Sequence, residues 1–421
     1  MSPRLLELLD LAFRWLHVIA GIMWIGNSLL FNWLDRNLRP PSRAGGGTGA
    51  AGEGTYGDIW LLHSGGFYLV EKTSLAGQSL PQPLHWFKWQ AYTTWLSGAA
   101  LLLVVYYVGG RALMVDPARA ALTPGVAVAV GAGAIVVGSV VYDLLWKYVA
   151  PRSEALAGAL SVAALAAIAV ALTSLLSGRA AFLHVGALLA TIMAANVAHV
   201  IMPSQRELVA AVAGGRRPDP AIAARAKTRS IHNNYLTFPV IVLMLSSHFP
   251  GVYGHPLNWL LLFVLVAAGA AVRHILNVRF TYRRWVPALA TTVTAALLAL
   301  YLITTGRPAG ADSAAAGDGR RLAGAAGDGA PLPEHASFAD VRPILDRRCT
   351  ACHSATPAIT DFGPAPAGVS FDTPERIQAL ASRIHVRAVE TRTMPPANRT
   401  HITERERALL GAWIDAGAPI R

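Results

Sequence analysis

The sequence is poor in charge and nearly devoid of cysteine. Only 14% of its 421 residues are charged, whereas 53% are hydrophobic, a composition too apolar for a soluble protein of this length. Its two cysteines, Cys349 and Cys352, lie too close together for a disulfide framework to organise the fold. The first apolar segment, 11–34, lacks a small-residue cleavage site, so we expect a retained membrane span rather than a signal peptide.

The sequence also lacks the basic stripe on a soluble domain that is typical of nucleic-acid binding. The formal net charge is +12, but residues 307–421 hold 14 basic and 13 acidic side chains, which leaves +11 for the apolar part. Excess basic charge in an apolar chain is typical of membrane loops. We therefore expect membrane lipids as partners and no nucleic acid.

Long apolar runs are the dominant feature of residues 1–304. A membrane-spanning helix needs about 20 apolar residues, and eight stretches meet or approach that length. They are 11–34, 91–109, 125–146, 155–176, 180–202, 235–250, 257–276 and 285–304. The sequence thus predicts an all-α protein, with a polytopic bundle of about eight transmembrane helices.

The distribution of Lys and Arg predicts the orientation of this bundle. With the amino terminus outside, the inner loops carry 17 of these residues and the outer segments carry 5. The positive-inside rule then places both termini on the outer side. We expect a multi-pass protein of the bacterial inner membrane, with its carboxyl-terminal domain in the periplasm or on the outer side.

The chain divides into three predicted parts, a transmembrane domain (1–304), a flexible linker (305–335) rich in Ala, Gly, Asp and Pro, and a small helical domain (336–421). The last part opens and closes with an amphipathic helix. Thr403 and Glu406 have the spacing of a capping box. The 35–90 insertion between the first two spans has a Gly-rich front half and an aromatic-rich rear half.

The run Cys349-Thr350-Ala351-Cys352-His353 is a C-x-x-C-H motif, which attaches haem c through two thioethers and presents the His to iron. Met394, in a proline-rich segment downstream, is the predicted sixth ligand. A zinc site and a chance C-x-x-C are the alternatives, but zinc would require further Cys or His residues at ligand spacing. The small helical domain is accordingly predicted to be a cytochrome c domain.

Histidines inside predicted spans form a second group of candidates, because ionisable residues at membrane depth are costly. His17, Gly21 and Trp24 share one helix face, where the glycine leaves flat space beside the imidazole. His17 and His184, both in the outer third, form a candidate axial pair for a b-type haem. The alternative is histidine packing between helices through hydrogen bonds.

Between the fifth and sixth predicted spans lies an inner loop with a concentrated set of polar side chains. Arg229, His232, Asn233 and Asn234 lie together at its end, where they can hold a flat anionic heterocycle. The alternative is positive-inside anchoring, with helix capping by Asn233. The rear of the long insertion contains His85 beside tryptophans and lysines, a combination that either anchors a helix at the interface or takes part in catalysis.

Four segments, followed by the tethered CTACH domain, resemble the integral-membrane urate oxidase family, the bacterial urate hydroxylases with a fused cytochrome c. They are HVIAGIMWIGNSLLFNWLD (17–35), LHWFKWQAYTTWLSG (84–98), IMPSQRELV (201–209) and AKTRSIHNNYLTFPV (226–240). The resemblance covers nearly the whole chain. It implies that urate is converted to 5-hydroxyisourate with oxygen from water. Electrons would pass through haem c to a soluble cytochrome c or a terminal oxidase.

Such a reaction removes two electrons from an anionic purine and adds water at C5, so it needs a clamp for the purine oxygens and a base. Local chemistry makes Arg229, Asn233 and Asn234 the candidate clamp and His232 the candidate base. The competing hypothesis is a non-catalytic electron-transfer subunit that links a quinone or dehydrogenase to cytochrome c. A transporter with an appended redox sensor fits less well, since no broken-helix pattern is evident.

Overall fold

The chain was analysed as a computed structural model, which describes residues 3–40, 55–73, 75, 80–109, 111–117, 119–305, 336–359 and 369–420. Apart from Thr305, the predicted linker lies outside these residues. So does most of the Gly-rich front half of the long insertion.

Ten helices form the described membrane part. They are α1 (Pro3–Asn37), α2 (Trp89–Leu101), α3 (Pro124–Leu144), α4 (Glu154–Leu175), α5 (Gly178–Ala195), α6 (Met202–Ala213), α7 (Pro220–Leu245), α8 (Pro250–Tyr253), α9 (Asn258–Val278) and α10 (Trp285–Thr305). Three of them continue as π-helical turns, α2 over Leu102–Val108, α3 over Leu145–Val149 and α5 over Asn196–Ile201. Side chains of Thr123, Ser153 and Ser177 cap the amino ends of α3, α4 and α5.

Seven helical stretches of the described chain are long and apolar enough to cross a membrane. They are Leu5–Asn37, Trp89–Val108, Pro124–Val149, Glu154–Leu175, Gly178–Ala213, Asn258–Val278 and Trp285–Thr305. The all-α membrane bundle is thus confirmed. The eighth predicted span, 235–250, lies largely in α7, which is long enough but too polar to count among the seven, and which ends at Leu245.

The predicted inner loop after the fifth span is largely helical instead. The α5 helix runs almost without interruption into α6, and α7 begins already at Pro220 with Asp219 as its N-cap. The His232-Asn233-Asn234 run therefore lies in the middle of α7 rather than at a helix entrance. Capping by Asn233, one of the two alternatives, is wrong, because the Asp219 side chain accepts from the Ala221 N–H instead.

The middle of the long insertion contains the one β-sheet among the described residues. Strands β1 (Thr55–His63) and β2 (Gly66–Thr73) pair antiparallel, with Leu62 opposite Phe67. Ser64 and Gly65 form the two-residue turn, and both have positive φ, as a type I′ turn requires. The sequence analysis did not predict this hairpin.

The bundle packs around α5, whose side chains are the most deeply enclosed. Phe182, Val185 and Leu188 are at most 1% exposed, and α5 contacts α3, α4 and α7. By contrast, large apolar side chains such as Leu297 of α10 remain more than half exposed. Such outward apolar faces suit contact with lipid, where they need no protein partner.

Residues of the described ranges 336–359 and 369–420 form a second hydrophobic core around Trp413, Leu345 and Leu410. Its helices are α11 (Phe338–Arg348), α12 (Pro374–Ala379), α13 (Ala381–Ile384) and α14 (Glu404–Asp415), with a π-helical turn over His385–Glu390. The predicted capping box at the start of α14 is confirmed. Thr403 accepts from the Glu406 N–H, and Glu406 accepts from the Thr403 N–H.

This carboxyl-terminal domain contacts one end of the bundle. Thr391 packs so closely on Gly254 that a Cβ added there would lie 2.5 Å from the Thr391 Cβ, and Ala397 packs against the core of the bundle. We call this the docked end and the opposite one the distal end.

Candidate functional site

A cavity of about 940 Å³ opens at the distal end, between α1, α6, α7, α9 and the 84–87 segment that precedes α2. Carboxamide side chains dominate its polar lining, namely Asn27, Asn32, Gln205, Asn233, Asn234 and Asn277. Its aromatic lining is Trp24, Phe31, Trp86, Phe87 and Tyr235. Flat apolar faces combined with a few directional polar groups are typical of a site for a planar small molecule.

The position of this distal cavity along the bundle follows from α9. Asn258, at the start of α9, accepts a hydrogen bond from Arg119 at 3.4 Å, and Arg119 lies at the docked end. Asn277, near the end of α9, lines the distal cavity. The two asparagines are 19 residues apart, which corresponds to about 28 Å along the helix axis. The cavity and the carboxyl-terminal domain therefore lie on opposite sides of the bundle.

One wall of the cavity is held by a buried network between α7 and α9. The Asn234 carboxamide oxygen accepts from Arg273 Nε at 3.0 Å and from Asn277 Nδ2 at 2.7 Å. Arg273 Nε also donates to the Asn234 backbone carbonyl at 3.2 Å. Because the oxygen of Asn234 faces these donors, its amide nitrogen points away from them. Asn234 therefore presents a hydrogen-bond donor on the cavity side.

Asn233 connects the cavity to a second polar group between α3, α5 and α7. Its side-chain oxygen accepts from Asn196 Nδ2 at 2.9 Å, and the same nitrogen donates to the Tyr142 hydroxyl at 3.2 Å. The hydroxyl lies 2.7 Å from His232 Nδ1. The Tyr142 hydroxyl can donate to His232 Nδ1 in one imidazole tautomer and accept from it in the other.

His232 and Arg229 lie on the opposite face of α7 from the cavity. Arg229 NH2 pairs with Asp143 at 3.1 Å, and the His232 ring lies 4.0 Å from that of Trp146. The sequence-predicted set is thus divided. Asn233 and Asn234 line the cavity, whereas His232 reaches it only through Tyr142, Asn196 and Asn233.

His85 and Trp86, the insertion residues for which catalysis and anchoring were both open, line the distal cavity directly. Trp86 packs with Trp24 against the small buried cluster around Ala91. His85 is exposed. Among the described residues that line the cavity, His85 is therefore the one histidine.

Asn277, which lines the cavity, and Arg273 and Asn196, which donate to the lining residues Asn234 and Asn233, were not among the predicted site residues. Arg273 was counted among the loop charges, but it is 1% exposed within α9. Asn277 and Asn196 are 4% and 2% exposed. The available signal was the cost of a charged or amide side chain within an apolar helix. Asn196 also begins a π-helical turn, a feature that is frequent at functional sites.

In the carboxyl-terminal domain, Cys349 and Cys352 are not joined by a disulfide and fit covalent attachment of a c-type haem. Burial raises the pKa of the Cys349 thiol to about 12. Burial also lowers the pKa of His353, and its Nδ1 lies 3.1 Å from the Val369 carbonyl. Nδ1 can donate there and leave Nε2 for iron, the usual arrangement of a ligating imidazole.

Met394 lies where this domain contacts the bundle. It lines a small cavity of about 150 Å³ together with Asp116 and Arg179 of the bundle and Arg407 of α14. Both backbone polar groups of Met394 are hydrogen-bonded. Its N–H donates to the Arg387 carbonyl, and its carbonyl accepts from Arg407 NH1, each at 2.9 Å. The backbone of the loop that carries the predicted sixth ligand is therefore positioned by contacts within the carboxyl-terminal domain, beside the docked end of the bundle.

The two histidines predicted as an axial pair for a b-type haem differ in their contacts. His184 is completely buried, with Nδ1 2.7 Å from the Ala180 carbonyl and Nε2 3.0 Å from the Tyr107 hydroxyl. A Cβ at Gly131 would lie 2.6 Å from its ring. His17 Nδ1 lies 2.9 Å from the Thr94 carbonyl, a contact that a ligating imidazole also makes. The His184 contacts match hydrogen-bonded packing between helices, and the axial pair stays a prediction.

No group of three His, Cys, Asp or Glu side chains converges as a metal site requires, as far as the described residues extend. A C-x-x-C-H motif does not depend on such a group, because its thiols bind haem carbons and a single imidazole meets the iron.

Comparison with known proteins places the membrane part in a family. Residues 3–305 match the family model described as Urate oxidase N-terminal. No match was found among curated proteins or among solved structures. Since the matched region is well over half of the sequence, the chain belongs to the urate oxidase N-terminal family.

Proposed function

We propose that the protein is a membrane-bound urate oxidase that converts urate to 5-hydroxyisourate in purine degradation. The observation that carries the proposal is the distal cavity, which lies within the family-matched residues and combines aromatic faces with amide groups. Its volume lies at the upper end of the range of small-molecule sites, about 300–1,000 Å³.

The overall reaction takes one urate and one water to one 5-hydroxyisourate, two electrons and two protons. Water supplies the hydroxyl group at C5, so the site must bind the purine, place a water beside C5 and remove protons. Asn234 and Asn233 suit the binding role, because carboxamides can donate to purine oxygens and accept from purine N–H groups. Trp24 and Trp86 provide faces on which the planar purine can stack.

Two histidines are candidates for the base. His85 faces the cavity itself, whereas His232 connects to it through Tyr142, Asn196 and Asn233. Replacing each by Asn distinguishes them, since the loss of the base lowers kcat whereas the loss of a packing imidazole lowers stability instead. The sequence-based assignment of His232 stays a prediction until this comparison is made.

Electrons are proposed to leave by way of a c-type haem that Cys349, Cys352 and His353 would hold, with Met394 as a further protein ligand. When bound, such a haem would supply one-electron redox chemistry. Soluble cytochrome c or a terminal oxidase is the proposed downstream acceptor. We further propose a bacterial inner-membrane location with this domain on the periplasmic side, in agreement with the excess of Lys and Arg in the other set of loops.

The test is turnover by the purified full-length protein with urate and oxidised soluble cytochrome c. We expect urate absorbance to fall as cytochrome c is reduced, with two cytochromes reduced per urate. In ¹⁸O-labelled water, the new hydroxyl oxygen should carry the label. Absence of reaction from a protein with intact haem c would overturn the proposal and favour the non-catalytic electron-transfer subunit. As a control, the Cys352→Ser variant should lose turnover but still bind urate.

A further inference from the structure

Arg273 is a buried cation that lacks an anionic partner in the described structure. It is 1% exposed, and among the described residues no carboxylate lies within ion-pair distance of its guanidinium. By comparison, Arg229 pairs with Asp143 at 3.1 Å and Arg119 with Asp116 at 3.2 Å. A buried charge normally has a counter-charge, because leaving it unpaired is costly.

The partners that Arg273 does have are neutral, and one of them, Asn234, lines the cavity. Its Nε donates to both oxygens of Asn234, and its guanidinium lies 5.4 Å from the centre of the Phe238 ring. One guanidinium nitrogen, NH2, is buried without a hydrogen-bond partner. The hydrogen bonds fix the orientation of the Asn234 carboxamide, but they do not neutralise the cation.

We infer that Arg273 selects an anionic ligand for the distal cavity and acts through Asn234. By holding the Asn234 oxygen, it directs the amide donor towards the cavity, and its uncompensated charge favours negative charge on the ligand. Arg273 is thus a positioning residue that sets the ionisation state of the bound purine. The inference rests on the proposed function and specifies that the urate monoanion, rather than neutral uric acid, occupies the site.

A purely structural role would also follow from the Arg273 contacts, since they join α7 to α9. The two roles differ in their response to pH. If the site selects the monoanion, the KM for total urate rises as pH falls through the first ionisation of uric acid. Other charged or titratable groups face this region, since Asp35, Arg36, His85 and Lys227 line the cavity and Arg279 and Tyr235 lie near Arg273. Because they remain in the variants compared, removal of the Arg273 cation reduces this dependence, whereas removal of a mere helix contact leaves it unchanged.

The experiment compares Arg273→Gln and Arg273→Lys with the wild type in full-length protein. The control is Arg283→Gln, which removes the same charge from the exposed segment that follows α9. For Arg273→Gln we expect the KM to rise roughly 10- to 100-fold, as for a lost charge-assisted contact, with a smaller change in kcat and a weaker pH dependence of the KM. Arg273→Lys should keep the pH dependence. Arg283→Gln should match the wild type.

Urate binding is also measured without turnover, by quenching of tryptophan fluorescence, so the test does not depend on the oxidase activity. Binding that depends on Arg273 in a protein without turnover would refute the proposed function and support the inference. An Arg273→Gln protein with the wild-type pH dependence would overturn the inference, whether or not its affinity falls. If Arg273→Gln does not fold, the Arg273→Lys variant provides the test. Loss of the pH dependence of the KM in that variant, which keeps the positive charge, would equally overturn the inference.

Discussion

The amide of Asn234 offers a substitution that should weaken urate binding while it preserves the fold. In Asn234→Asp the side chain keeps its shape, and one carboxylate oxygen can still accept from Arg273 Nε and Asn277 Nδ2, now at 3.0 and 2.7 Å. The buried guanidinium gains a counter-charge. On the cavity side, however, an N–H donor is replaced by a second acceptor that shares the negative charge.

The size of the effect follows from the charges. Two like unit charges about 4 Å apart repel by about 4 kcal/mol at an effective dielectric constant of 20. The adjacent Arg273 compensates part of this repulsion, and we take the remaining cost as about 2–3 kcal/mol. The kcat/KM for urate should therefore fall roughly 30- to 150-fold. The thermal midpoint should stay unchanged or rise, because a buried cation has gained a partner.

The assay measures urate turnover with oxidised cytochrome c and thermal unfolding on the same preparation. Asn37→Asp is the control, since Asn37 bonds to the Trp33 carbonyl near the end of α1 and is not among the cavity-lining residues. It adds the same charge at the distal end and should alter kcat/KM by less than about 3-fold, as expected for screened charges. Wild-type kcat/KM in Asn234→Asp would refute the placement of urate beside this amide.

Other substitutions test the packing of the bundle and the haem ligands. Gly131→Ala would place its Cβ 2.6 Å from the His184 ring and should destabilise the protein by about 1–3 kcal/mol in thermal unfolding, whereas Gly133→Ala, with no atom within 4 Å of the added Cβ, should not. His184→Ala should lower the thermal midpoint but leave the pyridine haemochrome spectrum unchanged, and loss of a b-type component would contradict the hydrogen-bonded packing of His184. Met394→Ala should lower the haem c reduction potential while attachment persists, and an unchanged potential and spectrum would reject Met394 as a ligand.

The apolar spans were predictable because hydrocarbon imposes a length and a composition on any crossing helix. The start of the α7 helix was harder to predict from sequence, because its first half carries Arg225, Lys227 and Arg229, and such charges are typical of membrane loops. Its helical start depends on Asp219 and on packing against α5 and α9. The β1–β2 hairpin did have a local signal, the Ser64-Gly65 turn between two apolar runs, but an all-helical expectation left no place for it.

The candidate site was half predictable for a geometric reason. Arg229, His232, Asn233 and Asn234 are neighbours in sequence, and a loop would have allowed all four to face one ligand. A helix with 3.6 residues per turn instead divides them between two faces. Arg273 and the residues of the Asn196 network come from other helices, so no spacing along the chain relates them to Asn234.

The long separation between the distal cavity and the docked domain sets how the two proposed half-reactions are related. About 28 Å of α9 lies between them, and substitutions so far apart with no shared partner have additive free-energy effects. A change at Asn234 should thus alter urate affinity and leave the haem potential unchanged, whereas a change at Met394 should do the reverse. The same separation requires electrons to cross most of the membrane, while protons from urate are released at the distal end. A relay for that crossing through a b-type haem at His17 and His184 stays a prediction, which the pyridine haemochrome spectrum of the wild type tests.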